Sequence, residues 1–465
     1  MTTRQFDMRL RCSARSLAPT LALMLAIAHQ ALAADVQVTA GDYYTCAWVK
    51  NDVAKCWGLN ASGQLGQGDP TTRGTAAGQL GSALPAINFG TGRTASRIAA
   101  GSFHACALLD NGQVKCWGDN GVGQLGLGLG DTLPRGNLAN QMGDFLPAVD
   151  LGTDPNTLLP YTATRIAAGA THSCALLSNR QVKCWGYNAY GQLGLGDTTQ
   201  RGDAVGSMGD ALPAVDLGSD PLTGVAYGAK EIGAIGYQTC AKLDNDELKC
   251  WGDNRHGQLG QGDIDPRGVA PLQMGNLLAR VKLGPARSAR WVAGGAYHLC
   301  AVLDDASVKC WGYNLAGQLG LGDADDRGDA KGEMAGSLLA IDLGSGLGVT
   351  AVAGGYLHSC ALLGNASVKC WGANDRGQLG QGDTAYRGNL PGQMGDTLLP
   401  IDFGVGRTAV RIAAGVSHAC AVLDNATLKC WGLNNYGQLG QGDALNRGFA
   451  AGQMGDALLA IDLGF

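Results

Sequence analysis

Short runs of apolar residues, separated at regular intervals by Gly, Asn and Asp, make up most of this chain. In one stretch the runs are residues 351–355, 358–363 and 367–372, with a short polar loop at 364–366. Runs of this length bounded by turn residues are typical of β-strands and hairpins. No apolar periodicity of 3.6 residues is sustained for the length of a helix. The pattern therefore predicts an all-β protein.

The same pattern returns seven times along the chain. Each copy has a Cys, a second Cys ten residues later within Lys-Cys-Trp-Gly or its equivalent, then Asn and Gly-Gln-Leu-Gly. The first cysteines of successive copies are 60 to 68 residues apart. Units repeated at such a period bury their apolar faces against one another. Seven units of about four antiparallel strands each predict a seven-bladed β-propeller.

The two chain ends favour a closed ring. Each internal unit is preceded by a segment such as 338–344 or 399–404, whereas the first unit, starting at Val36, has none. The chain ends in a matching segment, 458–464. We expect this C-terminal strand to pair into the first blade and close the ring, since a linear solenoid would need atypical capping units.

The N-terminal residues form a different kind of segment. Four Arg residues precede an apolar run at 17–33, which ends in Ala31-Leu32-Ala33. This arrangement predicts a secretory signal peptide at 1–33 and a propeller domain at 34–465. The run is shorter than the roughly 20 apolar residues of a membrane span. We therefore expect a secreted or periplasmic monomer with no membrane span.

Charge excludes one class of partner. The chain has a net charge of −5, and removal of residues 1–33, which contain four Arg and one Asp, makes it more acidic. Nucleic-acid binding depends on clustered Lys and Arg that neutralise phosphates. We therefore expect no nucleic-acid partner.

Fourteen of the fifteen cysteines form seven pairs, and Cys12 lies within the predicted signal peptide. If the loop at 364–366 holds three residues, Cys360 faces Cys370 across an antiparallel hairpin, within reach of a disulfide. Disulfides persist in exported proteins. The predicted disulfides are Cys46–Cys56, Cys106–Cys116, Cys174–Cys184, Cys240–Cys250, Cys300–Cys310, Cys360–Cys370 and Cys420–Cys430.

A metal site is the alternative interpretation of these cysteines. A His stands two residues before the first Cys in five units, on the same face of the strand, and His with two Cys could supply three zinc ligands. These residues are His104, His172, His298, His358 and His418. However, Tyr44 and Gln238 take that place in units that keep both cysteines, and no fourth ligand recurs. We therefore predict no metal and no cofactor, and hydrogen-bonded histidines instead.

Two further charged features recur: an Asp–Arg pair and a Lys. An Asp and an Arg four residues apart, such as Asp383 and Arg387, are found in every unit and are interpreted as a pair that pins a loop. The seven Lys residues before the second Cys, from Lys55 to Lys429, are interpreted as solvated strand positions.

Two short stretches vary between units and carry the candidate binding residues. The first lies between the Gly-ended strand and the His position, and the second lies between Asn and Gly-Gln-Leu-Gly. In an antiparallel sheet both connections emerge on the same side, so we expect one shared face. Aromatic and Arg residues on loops of a rigid scaffold are typical of protein-binding surfaces. The candidates are Tyr43, Phe103, Tyr190, Tyr237, Arg255, His256, Tyr297, Tyr356, Arg376 and Tyr436.

Residues 413–423, Ala-Ala-Gly-Val-Ser-His-Ala-Cys-Ala-Val-Leu, and 428–443, which begin Leu-Lys-Cys-Trp-Gly, carry a resemblance to a known family. The string resembles the repeat of the regulator of chromosome condensation family, and the seven copies extend from about Val36 to Phe465. The resemblance implies a seven-bladed propeller. Members of that family include nuclear guanine-nucleotide exchange factors and an exported bacterial β-lactamase inhibitor protein. Export and the paired cysteines depart from the nuclear members.

The sequence favours a secreted, non-enzymatic scaffold that binds an unidentified protein or surface macromolecule through one propeller face. The basis is the absence from the sequence of a unique acid, base or nucleophile cluster set apart from the repeat. Two alternatives remain open: an enzyme acting on glycans with carboxylates at the channel mouth, and a guanine-nucleotide exchange factor, which requires a cytosolic or nuclear location.

Overall fold

The computed structural model describes residues 36–464, which form seven antiparallel sheets of three strands each. In every sheet the strands lie in sequence order, so each unit is a simple meander. The strands are β1 (Val36–Ala40), β2 (Tyr44–Val49), β3 (Ala54–Gly58), β4 (Ala95–Ala100), β5 (His104–Leu109), β6 (Val114–Gly118), β7 (Ala163–Ala168), β8 (His172–Leu177), β9 (Val182–Gly186), β10 (Ala229–Ile235), β11 (Gln238–Leu243), β12 (Leu248–Gly252), β13 (Ala289–Gly294), β14 (His298–Leu303), β15 (Val308–Gly312), β16 (Val349–Gly354), β17 (His358–Leu363), β18 (Val368–Gly372), β19 (Ala409–Ala414), β20 (His418–Leu423) and β21 (Leu428–Gly432).

Short 3-10 helices follow six of the sheets. They span Gly81–Ala83, Gly143–Phe145, Gly209–Ala211, Gly275–Leu277, Gly395–Thr397 and Gly455–Ala457. Because the seven sheets supply all of the longer elements, the prediction of an all-β chain built from seven units is confirmed. Seven such units fit a seven-bladed propeller.

Each sheet has three strands, whereas the sequence predicted about four. The segment expected to form the fourth strand makes one backbone hydrogen bond to the third, as when Ile401 N donates to the carbonyl of Val368 at 2.8 Å. The next residue, Asp402, then turns the chain away. Its carboxylate accepts from Gly404 N at 2.8 Å, and its carbonyl accepts from Gly455 N, in the 3-10 helix after the next sheet, at 3.0 Å. Because both acceptors already have donors outside the sheet, the segment does not continue the ladder.

The C-terminal segment behaves in the same way. Ile461 N donates to the carbonyl of Leu428 in its own unit at 2.8 Å, and the carbonyl of Asp462 accepts from Gly81 N at 3.0 Å. Among the described residues, the segment therefore forms no ladder with the first sheet. Its side chains do reach that sheet, because Ile461 and Leu463 lie in one buried cluster with Val36.

Neighbouring units are joined through their tryptophans. The indole of Trp117 donates to the backbone carbonyl of Gln64 in the preceding unit at 3.0 Å, and the same bond joins Trp57 of the first unit to Gln438 of the last at 3.1 Å. All seven of these indoles are fully buried. A buried Trp N–H needs an acceptor, so this bond fixes where each sheet sits against the previous one.

The buried histidines are hydrogen-bonded, as predicted, in four of the five units. His104 Nε2 lies 2.9 Å from the hydroxyl of Ser173 in the next unit, and His418 Nε2 lies 3.0 Å from the hydroxyl of Thr45. His172 and His298 make the same contact. The exception is His358, whose Nε2 has no partner among the described residues, since Ala419 stands where the hydroxyl would be.

The recurring lysines are not solvated, and that interpretation was wrong. Lys115 is 8% exposed, and its Nζ donates to the carbonyls of Phe89 at 3.0 Å and Gly143 at 2.7 Å. Phe89 belongs to the segment after the preceding unit, so the lysine joins two units. Lys55 makes the corresponding bond to Leu463 at 2.6 Å. Burial lowers the pKa of the Lys115 ammonium group, and the nearby carboxylate of Asp144 partly opposes this shift.

The cysteine pairs lie at the positions that the hairpin register predicted. Cys360 is directly opposite Cys370, and Leu363 N donates to the carbonyl of Ser367 across a loop of three residues. In all seven units the two sulfurs are at bonding distance. The predicted Asp–Arg pairs also form, with 2.6 Å between Arg387 Nη2 and Asp383 Oδ2.

Replacement of Lys115 by Met should destabilise the fold. The change leaves two buried carbonyls without their charged donor, and bonds to charged groups contribute about 1.5–3 kcal/mol. We expect the free energy of unfolding, measured by urea denaturation, to fall by about 2–3 kcal/mol. The matched control is Lys331→Met at an exposed position, which should change it by less than about 0.5 kcal/mol. Equal effects of the two substitutions would contradict the assigned role.

Replacement of His104 by Gln, the residue found at 238, should reduce the acid sensitivity of the fold. Burial lowers the pKa of His104 from 6.5 to about 4. The unfolded chain therefore binds more protons than the folded chain between these values, and wild type loses stability as pH falls through that window. From pH 7.5 to pH 5 we expect wild type to lose about 2 kcal/mol more than the variant. Parallel stability curves from urea denaturation would contradict this.

Candidate binding face

The structure brings the two variable stretches together on one face. The loop between the first and second strands of a unit contacts the Gly-Gln-Leu-Gly loop of the unit before it. Ring centroids are 5.7 Å apart for Tyr190 and Tyr237, 5.5 Å for His256 and Tyr297, and 5.3 Å for Tyr436 and Tyr43. Residues that the sequence separates into two sets therefore form a single surface.

Most of the predicted residues belong to one continuous group, which we call the tyrosine cluster. Its rings lie 4.4 to 6.3 Å from their neighbours and come from four consecutive units. Its members are Tyr187, Tyr190, Tyr237, Arg255, His256, Tyr297, Tyr313 and Tyr356. Tyr356 is the most exposed of the tyrosines, at 41%.

Tyr187 and Tyr313 were missed by the sequence analysis. Both directly follow Trp-Gly, and their backbone N–H groups donate to first-loop carbonyls, as in the 2.9 Å bond from Tyr313 to Tyr297. A signal for them is present in the sequence. The position after Trp-Gly varies between units although its neighbours, Gly and Asn, do not; it holds Leu59, Asp119, Tyr187, Asp253, Tyr313, Ala373 and Leu433.

Arg255 lies in the middle of the tyrosine cluster and forms an ion pair with Asp253. Its Nε and Nη2 each donate to the buried carboxylate of Asp253 at 3.0 Å, which raises the pKa of the guanidinium. The guanidinium carbon is 4.8 Å from the ring centroid of Tyr190 and 5.8 Å from that of Tyr297. Half of the side chain is exposed. Arg255 therefore presents a fixed cation within an aromatic surface.

The remaining candidates lie elsewhere on the face. Tyr43, Phe103 and Tyr436 form a second group, with centroids 6.2 Å apart for Tyr43 and Phe103. Arg376 belongs to neither group, and its Nε lies 3.3 Å from the carboxylate of the adjacent Asp375.

The repeated Gln of Gly-Gln-Leu-Gly fixes the backbone beneath these variable side chains. Its side-chain oxygen accepts the backbone N–H of the residue two positions earlier, at 3.1 Å for Tyr190, 2.9 Å for His256, 2.8 Å for Arg376 and 2.9 Å for Tyr436. The loop conformation is thus set by a repeated residue, while the side chain it presents can differ from unit to unit. Such an arrangement suits recognition.

A cavity of about 410 Å³ lies at the centre of the same face, lined by the ends of the first strands and the following loops of all seven sheets. Most of its lining is Ala and Gly, with Tyr237, Tyr297 and Tyr356 at one side. Among the described lining residues Asp42 alone carries a formal charge. Burial raises the pKa of this carboxyl group to about 6, although a hydrogen bond with Ser102 acts to lower it.

The arrangement limits what chemistry the face can perform. Glycoside hydrolysis by its usual route requires two carboxyl groups flanking the bond, whereas the described lining holds a single one. Within residues 36–464, no group of three or more His, Cys, Asp and Glu side chains is placed to hold a metal ion. Over the same range, no helix has the length and hydropathy to cross a membrane.

Two family models, both for the regulator of chromosome condensation (RCC1) repeat, match the chain. One matches residues 95–124, 163–192, 292–318, 349–378 and 409–438. The other matches residues 247–302 and 367–422.

The chain is similar to proteins from several eukaryotes. It is 28% identical over 415 residues to the ultraviolet-B receptor UVR8 of Arabidopsis thaliana, covering 89% of this chain and 80% of the receptor. It is 26% identical over 349 residues to the human E3 ubiquitin-protein ligase HERC2, covering 75% of this chain and 6% of the ligase.

Among solved structures, the crystal structure of Kap60 bound to yeast RCC1 (Prp20) contains a chain with a similar fold. The TM-score is 0.61 at 18% identity, covering 98% of this chain and 92% of that one. This likeness concerns the fold alone. The chain therefore contains regulator of chromosome condensation (RCC1) repeats, and its fold is like that of a solved RCC1 protein.

Proposed function

We propose that this protein is an exported, non-enzymatic scaffold that binds another protein through the tyrosine cluster. The observation that carries the proposal is the contact, on one face, of eight side chains from four consecutive units. Tyr and Arg are enriched among the residues that dominate binding energy at interfaces. Tyr also provides a large contact area at a low cost in side-chain entropy.

The relatives support a binding role. Yeast RCC1 is bound to Kap60 in its crystal structure, and UVR8 is a receptor. HERC2 is a ubiquitin ligase, but this chain spans only 6% of its length. The ligase activity of the whole HERC2 protein is therefore not carried over to this chain.

We propose that the seven sheets close into a ring of blades. The contacts between the last and first sheets are of the kinds found between other neighbouring units: the Trp57 indole bonds to Gln438, the His418 imidazole bonds to Thr45, and the Lys55 ammonium bonds to Leu463. In this arrangement the C-terminal segment serves the last blade as an incomplete fourth strand, and its side chains complete the joint with the first blade.

Seven cysteine pairs at bonding distance suggest an oxidising, extracellular environment. The predicted signal peptide at 1–33 lies outside the described residues. We propose that it directs the chain to the periplasm or the medium, where the scaffold acts as a monomer. Such a location disfavours the exchange-factor alternative, because small GTPases act in the cytosol or nucleus.

Export and oxidation can be tested together. The full chain, expressed in a bacterium and recovered from periplasm or medium, should carry fourteen cysteines that resist alkylation in denaturant until a reductant is added. Mass spectrometry measures the number of labels. A chain that stays in the cytosol, or one whose paired cysteines are alkylated without reduction, would contradict the proposal.

The binding face can be tested with a photo-reactive side chain at position 356. In the native envelope or secretome, this probe should yield a discrete covalent adduct with one protein. The matched control is the same probe at position 145, where Phe145 is 70% exposed and belongs to a 3-10 helix outside the tyrosine cluster. The control should give at most one tenth of that adduct.

Competition sharpens this experiment. An excess of unlabelled wild type should suppress the adduct at 356, whereas the double variant Tyr297→Ala, Tyr356→Ala should suppress it at least ten-fold less effectively, because two adjacent contact rings are lost. Phe145→Ala should compete like wild type. Equal competition by the double variant would refute the proposed face.

A further inference from the structure

The central cavity combines three features that together favour a cationic ligand. It is concave, with a volume of about 410 Å³ that lies within the range of small-ligand pockets. Tyrosine rings line one side of it, and a carboxylate, Asp42, lies opposite a largely uncharged wall of Ala and Gly.

Asp42, unlike Asp253 and Asp375 on the same face, has no cation beside it. Asp253 binds Arg255, and Asp375 pairs with Arg376. Within the described part of the chain, no Lys, Arg or His forms an ion pair with Asp42. Its neighbours across the cavity and on its own loop are phenols, and its charge contributes to raising the pKa values of Tyr43, Tyr44 and Tyr237. Asp42 is partly buried, and a charge withdrawn from water without a partner is costly.

Position 42 is also unique among the repeats. The corresponding residues of the other six units are Ser102, Ala170, Gly236, Ala296, Tyr356 and Val416. The repeat itself therefore does not require a carboxylate there. The acid is placed where side chains from all seven units converge, so a single residue determines the charge of the cavity.

We propose that the cavity receives the ammonium group of a lysine side chain from the protein partner, an inference that rests on the proposed function. Asp42 is the counter-ion, and the faces or hydroxyls of Tyr237, Tyr297 and Tyr356 surround the stem and head of the lysine. Aromatic rings attract cations through their quadrupole, most strongly where water is excluded. The ammonium would replace the missing partner of Asp42, and the adjoining tyrosine cluster would contact the partner around it.

Electrostatics of the surrounding face agree with a basic partner. The variable positions carry four carboxylates, Asp42, Asp119, Asp253 and Asp375, against two guanidinium groups, Arg255 and Arg376. The variable positions are therefore net acidic, and an approaching positive patch would be attracted to them.

The test uses a lysine probe, N-acetyl-L-lysine methylamide, and its uncharged counterpart, N-acetyl-L-norleucine methylamide. Binding to the wild-type protein is followed at pH 7.5 by chemical-shift changes of Gly41 and Gly101 amides, which lie beside the cavity. The lysine probe should bind at least ten-fold more tightly than the norleucine probe. Asp42→Asn should weaken the lysine probe at least ten-fold, whereas the control Asp119→Asn should change it less than two-fold.

A pH titration provides the second measurement. With a pKa of about 6, Asp42 loses its charge as pH falls, so wild-type affinity for the lysine probe should drop about ten-fold between pH 7.5 and pH 5. Asp42→Asn should show no such dependence. His256 lies on the same face but contacts Asp326 at 3.2 Å, and the comparison with Asp42→Asn isolates the contribution of Asp42.

The outcomes distinguish this proposal from the preceding one. Asp42→Asn removes an uncompensated charge, so we expect its melting temperature to equal or exceed that of wild type; if the variant instead fails to fold, the pH titration of wild type decides. Equal binding of both probes, or a pH-independent affinity of wild type, would overturn the lysine site. If the lysine probe fails in this way but the adduct at position 356 still forms, the proposed binding face stands. If the lysine probe binds as expected but no adduct forms at position 356, only the binding face is refuted.

Discussion

The hydrogen bond from each buried indole to a Gln carbonyl of the preceding unit is the constraint on which the rest of this structure depends. A single unit of three strands cannot cover its own tryptophan, so the ring is buried only when the neighbour supplies both apolar cover and an acceptor. The same carbonyl of Gln438 also accepts from the hydroxyl of Thr45, which in turn contacts His418. One peptide group thus orients an indole, a hydroxyl and an imidazole. Any shift between these two units would break all three contacts, and the indole bond to the Gln carbonyl recurs at every joint between units.

Much of this fold could be predicted from the sequence because local features determine it. The loop of three residues at 364–366 sets the register, and the register places Cys360 opposite Cys370. Features that depend on contacts between units were harder to predict. Lys115 looks like a surface residue in its alternating strand, since no local signal reveals that two carbonyls from different units converge on its ammonium. The missing fourth strand has a similar origin, because it depends on where the Asp402 side chain and carbonyl find their donors.

The candidate binding face shows the same difference between local features, which the sequence reveals, and contacts between units, which it does not. Variation between otherwise identical units identified Tyr190, Tyr237 and Tyr297. The structure shows that the rings of Tyr190 and Tyr237 are in contact and that Arg255 bridges Tyr190 and Tyr297. The sequence could not indicate that rings from different units are neighbours, nor that the single acid at position 42 lies in a central cavity. In this scaffold the repeated Gln and Trp residues hold the backbone, while single positions between them are free to differ. Specificity can therefore change by substitution at one position without disturbing the joints between units.

The cysteine pairs have a further consequence for how such a chain matures. Each bond closes a hairpin of eleven residues inside a single unit, so every thiol meets its correct partner before a distant one, because short loops close at a lower entropic cost. A chain entering an oxidising compartment from its N-terminus could therefore complete its bonds in order, unit by unit. Fourteen thiols would ordinarily create a large problem of mispairing. Here the local geometry removes it, and the later joining of the units needs only rigid hairpins to dock side by side, with no exchange of bonds between them.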